Sequence, residues 1–389
     1  MNLINYHKMK FLRLAFYVLI AQLVLSGCAG EGVEETSSSS SSEINFDAYV
    51  GRNASTRSSV TDIDFLKKDL HDAFNAGFGV FARYKHDDGK TITPLMDTEH
   101  VYWKEWKGNH KDWGYEHIRF WPSNGKVDFY AFAPYSPQVR MGSLPYELAG
   151  KADIDSPDTY IDFPSNMSPV DLIWANQPNQ TAPKSPNSKV KFQFKHALVR
   201  LGFDITANQE LEEKGAVITV DKVILYGANE TSGIFLMGGH LNLKTGKWVP
   251  YDNKGIRWFY TWTPTGKVDG NDETLEEQQK KGPIYKLSAP QLDYNTPSIA
   301  NEKDSYIFII PQPKPDYFNL KITYTVEQGK FKEDVTVYKD LRKVLPEDPF
   351  GVKGKAYTFH FKLSLDPVDF KVTADVKDWN VGKDETISL

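Results

Sequence analysis

The chain is poor in cysteine, with one cysteine among its 389 residues. A single cysteine excludes an intramolecular disulfide, so a stable fold depends on the burial of apolar side chains. The sequence also lacks the motifs HExxH, GxSxG and GxGxxG, which supply metal, nucleophile and dinucleotide sites in large enzyme classes. We therefore expect no enzymatic activity and no cofactor.

Strong charge and long apolar runs are scarce as well. The net charge of −5 is small and is not clustered, so nucleic acid is not an expected partner. Beyond the N-terminus, no apolar stretch is long enough to cross a membrane.

The one long apolar run lies at the N-terminus and leads into the cysteine. Residues 7–13 carry basic side chains, residues 11–25 form an apolar stretch of secretory-signal length, and Ser26, Gly27 and Cys28 follow. This ending resembles the bacterial lipobox, which predicts a signal peptide over residues 1–27 and lipidation of Cys28. Because two or more acyl chains hold a protein firmly on a membrane, we expect an envelope protein anchored in the bacterial outer membrane. The alternative is an ordinary secretory signal with an incidental cysteine.

Residues 28–42 follow the signal and contain the serine run of residues 37–42. This segment has few apolar side chains to offset its chain entropy, so it is predicted to be a flexible tether. The rest of the chain is long enough for two domains.

Apolar residues beyond the tether recur with a period of two, which predicts strands. Residues 44–50 show the pattern clearly, because Ile44, Phe46, Ala48 and Val50 share one face. Only a few helices are expected, and the best of them covers residues 62–74. The predicted fold class is therefore all-β, with one or two short helices.

The distribution of predicted strands divides the chain near the polar residues 207–215. This division predicts an N-terminal β-sandwich domain over residues 43–209 and a C-terminal β-sandwich domain over residues 210–389. The proline-rich residues 177–188 offer a rival boundary, which we interpret as a loop because residues 189–203 resemble the closing strand of the first domain.

Residues 100–121 concentrate two residue types that could serve a binding site. Three histidines, His100, His110 and His117, have a spacing that fits no compact metal site, so no metal is expected. Four tryptophans could stack on sugar rings if exposed, or could pack into a sandwich core. They are Trp103, Trp106, Trp113 and Trp121.

Several segments in order resemble the fimbrillin-like proteins, which are subunits of lipoprotein-derived type V pili. After the lipobox at Cys28, the similar segments are Phe78–Ala82 with Tyr84, Val101–Trp103, Trp121-Pro122 and Phe129–Tyr135, Asp171–Ala175, Phe194–Leu198, Gly354–Tyr357, and Asp378-Trp379 with Gly382. The similarity covers nearly the whole chain.

The resemblance implies two tandem transthyretin-like, Greek-key β-sandwiches that polymerise by strand exchange. It further implies that a trypsin-like protease cuts after an arginine behind the first strand, and that another pilin subunit fills the vacated groove. Arg52 lies two residues after the alternating strand, in a polar, small-residue segment, so it is the first processing candidate. Arg57 is the second candidate, and the absence of processing is a third possibility.

The residues themselves suggest which strands would exchange. Loss of the strand containing Ile44, Phe46, Ala48 and Val50 would expose unpaired backbone groups above an apolar groove. The predicted donor lies near the C-terminus and alternates in the same way, with Val368, Phe370, Val372, Ala374 and Val376 on one face. Alternatively, both segments are ordinary strands of their own sandwiches.

These observations leave more than one function open. The first is a structural pilus subunit, or an anchor or tip protein, that contacts other pilins and a host or bacterial surface ligand. A surface glycan-binding lipoprotein of a nutrient-uptake system is the alternative, and exposed tryptophans would favour it. A β-sandwich hydrolase lacks any acid–base or nucleophile pattern.

Overall fold

The computed structural model describes residues 42–50, 63–68, 76–105, 110–145, 159–164, 171–185, 187–207, 215–230, 232–236, 238–251, 260–262, 264–267, 284–287, 291–292, 306–345, 350–363 and 371–378. Most of these residues form strands, and helices are few and short. The predicted all-β fold class is confirmed. No helix within these ranges is long and apolar enough to cross a membrane.

Among the described residues of the first half of the chain, ten strands and one α-helix are present. The strands are β1 Asn45–Val50, β2 Phe78–Lys85, β3 Ile92–Glu105, β4 Lys111–Gly114, β5 Lys126–Ala133, β6 Met141–Gly142, β7 Tyr160–Pro164, β8 Ile173–Gln180, β9 Lys189–His196 and β10 Val199–Ala207. The helix α1 covers Ile63–Leu66.

The part of the second half that the structure describes contains twelve strands and a short 3-10 helix, Leu341–Val344. The strands are β11 Val217–Tyr226, β12 Gly238–Asn242, β13 Trp248–Pro250, β14 Tyr260–Trp262, β15 Pro264–Lys267, β16 Ile284–Leu287, β17 Gln291–Leu292, β18 Tyr306–Ile309, β19 Asn319–Gln328, β20 Phe331–Asp340, β21 Lys355–Leu363 and β22 Lys371–Asp378.

A seven-stranded sheet in the order β1-β9-β8-β5-β2-β3-β4 forms the N-terminal part of the fold. One face of this sheet carries a core rich in aromatic side chains, including Phe46, Phe78, Phe129 and Phe192. Its central strands are buried on both faces, which explains why residues 127–133 form a nearly continuous apolar run instead of alternating.

The opposite face of the same strands packs against a four-stranded sheet in the order β13-β12-β7-β6. Phe81, Phe132 and Trp174 lie in this second core with Leu241 of β12. Because β12 pairs with β7 over Gly238–Asn242 and Tyr160–Pro164, the two halves of the chain share one sheet.

The C-terminal part is a sandwich of two sheets. One has the order β15-β16-β10-β21-β22, with β18 also paired to β10, and the other has the order β17-β14-β11-β19-β20. Their facing sides bury a common core to which β10, β11, β19, β20 and β21 all contribute. This is the layered packing expected of a β-sandwich.

The sequence predicted that residues 189–203 form one closing strand of the first domain, and the structure shows that this prediction was wrong. The chain forms β9 and β10, which belong to different sheets. The break falls at Ala197 and Leu198, where Ala197 N–H donates to Leu172 O at 2.8 Å and Gly354 N–H donates to Leu198 O at 2.8 Å. Since β10 pairs with β21, residues 199–207 lie among the strands of the second half, and the domain boundary at residue 209 stays a prediction.

The predicted helix over residues 62–74 is shorter in the structure. The helix α1 ends at Leu66, because the Leu66 carbonyl accepts a hydrogen bond from Gly77 N–H at 2.7 Å. This bond ties the end of the helix to the entrance of β2, so the carbonyl is satisfied without a further helical turn. Residues 69–75 lie outside the described part of the chain.

Candidate functional site

The first strand is the element that sequence reasoning linked to function, and it lies at one end of the seven-stranded sheet. Its partner is β9, which runs parallel to it in register from Asn45 opposite Lys189 to Val50 opposite Phe194. A terminal strand shares its ladder with one neighbour only, so its removal leaves a row of backbone donors and acceptors on β9.

The burial of β1 follows the predicted alternation. Ile44, Phe46 and Val50 are 0%, 1% and 5% exposed, whereas Tyr49 is 57% exposed. Ala48 is half-buried and packs against the same core. The side chains predicted to leave with the displaced strand therefore include three that the core encloses.

Phe46 occupies a cage of three aromatic rings. Its ring centroid lies 5.5 Å from that of Tyr115, 5.8 Å from that of Phe129 and 5.7 Å from that of Phe192. The rings come from a loop, from β5 and from β9, so the cage exists only after these distant segments have come together. Ring contacts at these distances add to the free energy of burying the aromatic area itself.

A second wall holds the beginning of the strand on the side away from β9. Residues 115–121, which follow β4, supply this wall. Ile44 N–H donates to Arg119 O at 2.9 Å, and Trp121 N–H donates to Ser42 O at 3.0 Å. Between these two bonds, Glu43 and Phe120 form an antiparallel bridge. Residues 42–44 are therefore bonded to this wall, and residues 45–50 are bonded to β9.

Tyr115 is the side chain of the wall that hydrogen-bonds to the backbone of the strand. Its buried hydroxyl donates to Ile44 O at 2.8 Å and accepts from Arg119 N–H at 3.1 Å. Burial raises the pKa of Tyr115 to about 12, so the hydroxyl keeps its proton at neutral pH. Both main-chain polar groups of Ile44 are thus satisfied by the 115–121 segment.

Three polar contacts of charged or titratable side chains support the walls from outside. The Glu99 carboxylate contacts Nδ1 of His117 at 3.2 Å and a guanidinium nitrogen of Arg119 at 3.8 Å. Lys189, at the start of β9, contacts the Asp112 carboxylate of β4 at 2.6 Å. The ion pair between Lys189 and Asp112 joins the strands that flank β1 on either side.

The predicted donor strand lies partly within the described residues. Val372, Ala374 and Val376 belong to β22, in register opposite Phe361, Phe359 and Tyr357 of β21. Val368 and Phe370 lie outside the described part of the chain, and so do Cys28, Arg52 and Arg57. The roles predicted for all of these residues stay predictions.

The described tryptophans do not form an exposed platform for a sugar. Trp113 and Trp121 are buried, and Trp103 packs against Trp113 with ring centroids 5.2 Å apart. Trp106 lies outside the described residues. Within the ranges that the structure describes, no group of three or more His, Cys, Asp or Glu side chains is arranged to hold a metal ion.

Sequence reasoning identified β1 but missed the second wall. Residues 116–120 are all exposed and show no alternation, so no periodic signal marks them as partners of a strand. Tyr115 is separated from Ile44 by 71 residues. Only the tertiary structure brings its hydroxyl to the strand.

Comparison with known proteins places this fold among fimbrial proteins. The sequence matches a family described as fimbrillin-like over residues 71–379. A curated relative, the fimbrium subunit Fim1C of Phocaeicola vulgatus, is 23% identical over 401 residues, which cover 96% of this chain and 98% of the relative. The crystal structure of a fimbrial protein from Bacteroides vulgatus superposes with a TM-score of 0.51 at 18% identity, covering 87% of this chain and 99% of that one.

The family match covers most of the chain, the curated relative aligns along nearly its full length, and the solved structure has the same fold. The resemblance found in the sequence is confirmed. The chain belongs to the fimbrillin-like family, a family of fimbrial structural subunits and not of enzymes.

Proposed function

We propose that this protein is a structural component of a cell-surface pilus and joins other pilin subunits by exchange of an extended strand. The observation that carries the proposal is the placement of β1. It is a terminal strand, it pairs in parallel with β9, and its apolar side chains fill an aromatic groove. A segment of this kind can be replaced by another strand of similar pattern without rearrangement of the sheet.

The energetics of β1 favour replacement over simple loss. Burial of the three large side chains Ile44, Phe46 and Val50 contributes roughly 5–9 kcal/mol gross at about 1.5–3 kcal/mol each. While β1 is covalently attached, it returns to the groove after every opening, because its local concentration is high. A cut after Arg52 removes this advantage, and a donor that belongs to a neighbouring subunit can then occupy the groove.

The proposed donor is the C-terminal segment with Val368, Phe370, Val372, Ala374 and Val376. Its alternation matches that of β1, and β22 is itself a terminal strand in the order of its sheet. Five apolar side chains on one face give the donor enough apolar area for a long-lived non-covalent joint, even after the entropy of ordering the segment is subtracted.

The remaining parts of the proposal concern the N-terminus and the partners. Lipidation of Cys28 would anchor the precursor in the outer membrane, and residues 28–42 would act as its tether. A trypsin-like protease would release the anchor and β1 together by cutting after Arg52 or Arg57. The assembled pilus would present this subunit to a host or bacterial surface ligand.

Limited digestion with trypsin tests the assembly step. The chain that begins at residue 28, with Cys28→Ser to remove the thiol, is expected to be cut after Arg52 and to form ladders that resist SDS. The new N-terminus is read by Edman sequencing, and the ladders are resolved on unheated gels.

Arginine variants provide the matched control for this experiment. Arg57→Ala is expected to leave the ladders, and the double variant Arg52→Ala, Arg57→Ala is expected to abolish them. Ladders that persist in Arg52→Ala alone show that Arg57 substitutes for Arg52. A chain that loses the segment through Val50 and still stays monomeric would contradict strand exchange.

The anchor is tested on protein recovered from cells. Labelling with an alkyne fatty acid is expected to mark the precursor through Cys28 and to disappear in Cys28→Ser. A precursor whose first residue is not Cys28 would overturn the proposed lipidation and would leave the assembly proposal intact.

A further inference from the structure

The groove that holds β1 has two walls of different chemistry. The β9 wall presents a regular parallel ladder to residues 45–50, and a ladder of this kind accepts any strand in several registers. The 115–121 wall instead bonds the backbone of residues 42–44, with two of its hydrogen bonds at Ile44, and carries one ring of the cage around Phe46.

We propose that the 115–121 segment sets the register of the strand that replaces β1, and that Tyr115 is a specificity-determining residue for it. The occupant we assign is residues 368–374 of a second copy of this chain. In the assigned register, Val368 takes the place of Ile44 and Phe370 takes the place of Phe46. This inference rests on the proposed strand exchange. It adds the register of the incoming strand and the residues that determine this register.

The polar contacts of the 115–121 segment act at the first inward position, which Ile44 occupies now. The Arg119 carbonyl accepts the N–H of the residue there, and the Tyr115 hydroxyl donates to its carbonyl. With the groove vacant, both groups lack these strand partners. A new strand satisfies them only if it places a backbone unit at that point and continues along β9, because an unpaired buried donor or acceptor is costly.

The aromatic cage recognises the side chain at the second inward position, which Phe46 occupies now. Tyr115, Phe129 and Phe192 surround the second inward position with ring centroids within 5.8 Å of the Phe46 ring. A large planar side chain fills this space, whereas a smaller one leaves a cavity. In the donor segment only Phe370 is aromatic, so the cage selects the register that brings Phe370 into it.

The competing registers are disfavoured for different reasons. A shift by one residue turns the polar side chains Asp369 and Lys371 into the core. A shift by two residues puts Val372 in the cage and forces Phe370 into the space of Ile44, which is fully buried. The exposed charges do not decide the register, because the assigned pairing puts Asp369 beside Lys189 and Lys371 beside Lys191, one pair attractive and one repulsive.

Disulfide trapping reads the register directly. The chain with Cys28→Ser and Lys189→Cys is cut after Arg52 and incubated with an excess of a synthetic peptide of residues 366–377 that carries Asp369→Cys. The assigned register brings these two cysteines opposite one another, as Asn45 and Lys189 are now. A peptide with Lys371→Cys instead reports the register shifted by two residues. The assigned peptide is expected to be trapped at least tenfold faster.

Affinity measurements test the contributions of the aromatic cage and of the Tyr115 hydroxyl. Anisotropy of a fluorescein-labelled peptide of residues 366–377 is expected to show at least tenfold weaker binding for Phe370→Ala than for the unchanged peptide. Tyr115→Phe in the chain, which keeps the ring and loses the donor, is expected to weaken binding about fivefold. Tyr84→Phe is the matched control, since its hydroxyl donates to Asn124 Oδ1 at 2.8 Å and its strand, β2, is separated from β1 by three other strands in the sheet order. Thermal melts of the uncut variants verify that each one folds.

These measurements distinguish a failure of the assigned register from a failure of strand exchange itself. If no peptide binds the cut chain, strand exchange fails and the register inference fails with it. If the unchanged peptide binds but is trapped in the shifted register, or if Phe370→Ala and Tyr115→Phe bind as tightly as their parents, the inference is overturned and strand exchange stands.

Discussion

Phe46 is an enclosed aromatic residue of the N-terminal core. Its ring is 1% exposed and touches three other rings. The alternation of residues 44–50 predicted that it faces inward, because a strand places every second side chain on the same face. The identity of its neighbours could not be predicted, since Tyr115, Phe129 and Phe192 lie far from it in sequence.

Truncation of this side chain tests the packing. Phe46→Ala is expected to lower the free energy of unfolding by about 3–5 kcal/mol, because it removes a fully enclosed ring and leaves a cavity among three others. Urea denaturation followed by tryptophan fluorescence gives the value for the uncut chain.

The matched control lies on the same strand. Tyr49→Ala removes a side chain that is largely exposed, so its effect is expected to stay within about 0.5 kcal/mol. Equal losses for the two variants would show that the cage contributes nothing beyond the ladder of β1.

At the scale of elements, β1 is defined by its two walls. The strand itself was predicted from its pattern, and its bounds in the structure differ from the prediction by one residue at the start. Its neighbours depend on topology, because β9 and the 115–121 segment approach from different parts of the chain. Period-two patterns report which face of a strand is buried and carry no information about which strand it pairs with.

The ion pair between Lys189 and Asp112 gives a prediction at this scale, because it links the strands on either side of β1. Both side chains are partly exposed, so a double-mutant cycle with Lys189→Met and Asp112→Asn is expected to give a coupling energy of about 0.5–1 kcal/mol in low salt. The coupling is expected to fall at high salt, since mobile ions screen exposed charges.

A second exposed pair provides the comparison. Lys332 and Glu327 lie 2.6 Å apart on one hairpin, and both are more exposed than the pair beside β1. Their cycle is expected to give a smaller value, below about 0.5 kcal/mol. A coupling for Lys189 and Asp112 that is zero in low salt would contradict a role in holding the flanking strands.

At the scale of the whole molecule, the turn after β12 docks on the seven-stranded sheet. Asn176 donates to Leu243 O at 3.0 Å and to Lys244 O at 2.6 Å. Gly246, with φ +68°, lies against the Trp174 ring. The Trp248 indole N–H donates to Ala197 O at 2.8 Å. These contacts join the two halves of the chain through a shared core.

The glycine at this junction gives the third prediction. A Cβ added at Gly246 would lie 2.0 Å from a Trp174 ring carbon and would also meet the Lys353 amine. Gly246→Ala therefore combines left-handed backbone strain with steric overlap, and its cost is expected to exceed that of strain alone by about 1–3 kcal/mol. Calorimetric unfolding of the uncut chain measures it.

Gly329→Ala isolates the strain. Gly329 has a similar φ of +62° but meets nothing within 4 Å of an added Cβ, so its variant carries the strain without the overlap. Equal effects at the two sites would contradict the close packing of the turn against Trp174.

The sequence by itself determined the local features of this protein. The period-two patterns predicted an all-β chain and the inward face of β1, because the side-chain periodicity of a strand is a local property. The ordered series of short motifs also indicated the fimbrillin-like family, which the comparisons confirmed.

Tertiary structure alone decided the long-range features. It divided residues 189–203 between strands of two different sheets, because Ala197 and Leu198 bond to Leu172 and Gly354 far along the chain. It also supplied the second wall of the groove, since Tyr115 and Arg119 contact Ile44 from a distant part of the chain. Pairing partners depend on which distant segments meet, and no local pattern of side chains records that choice.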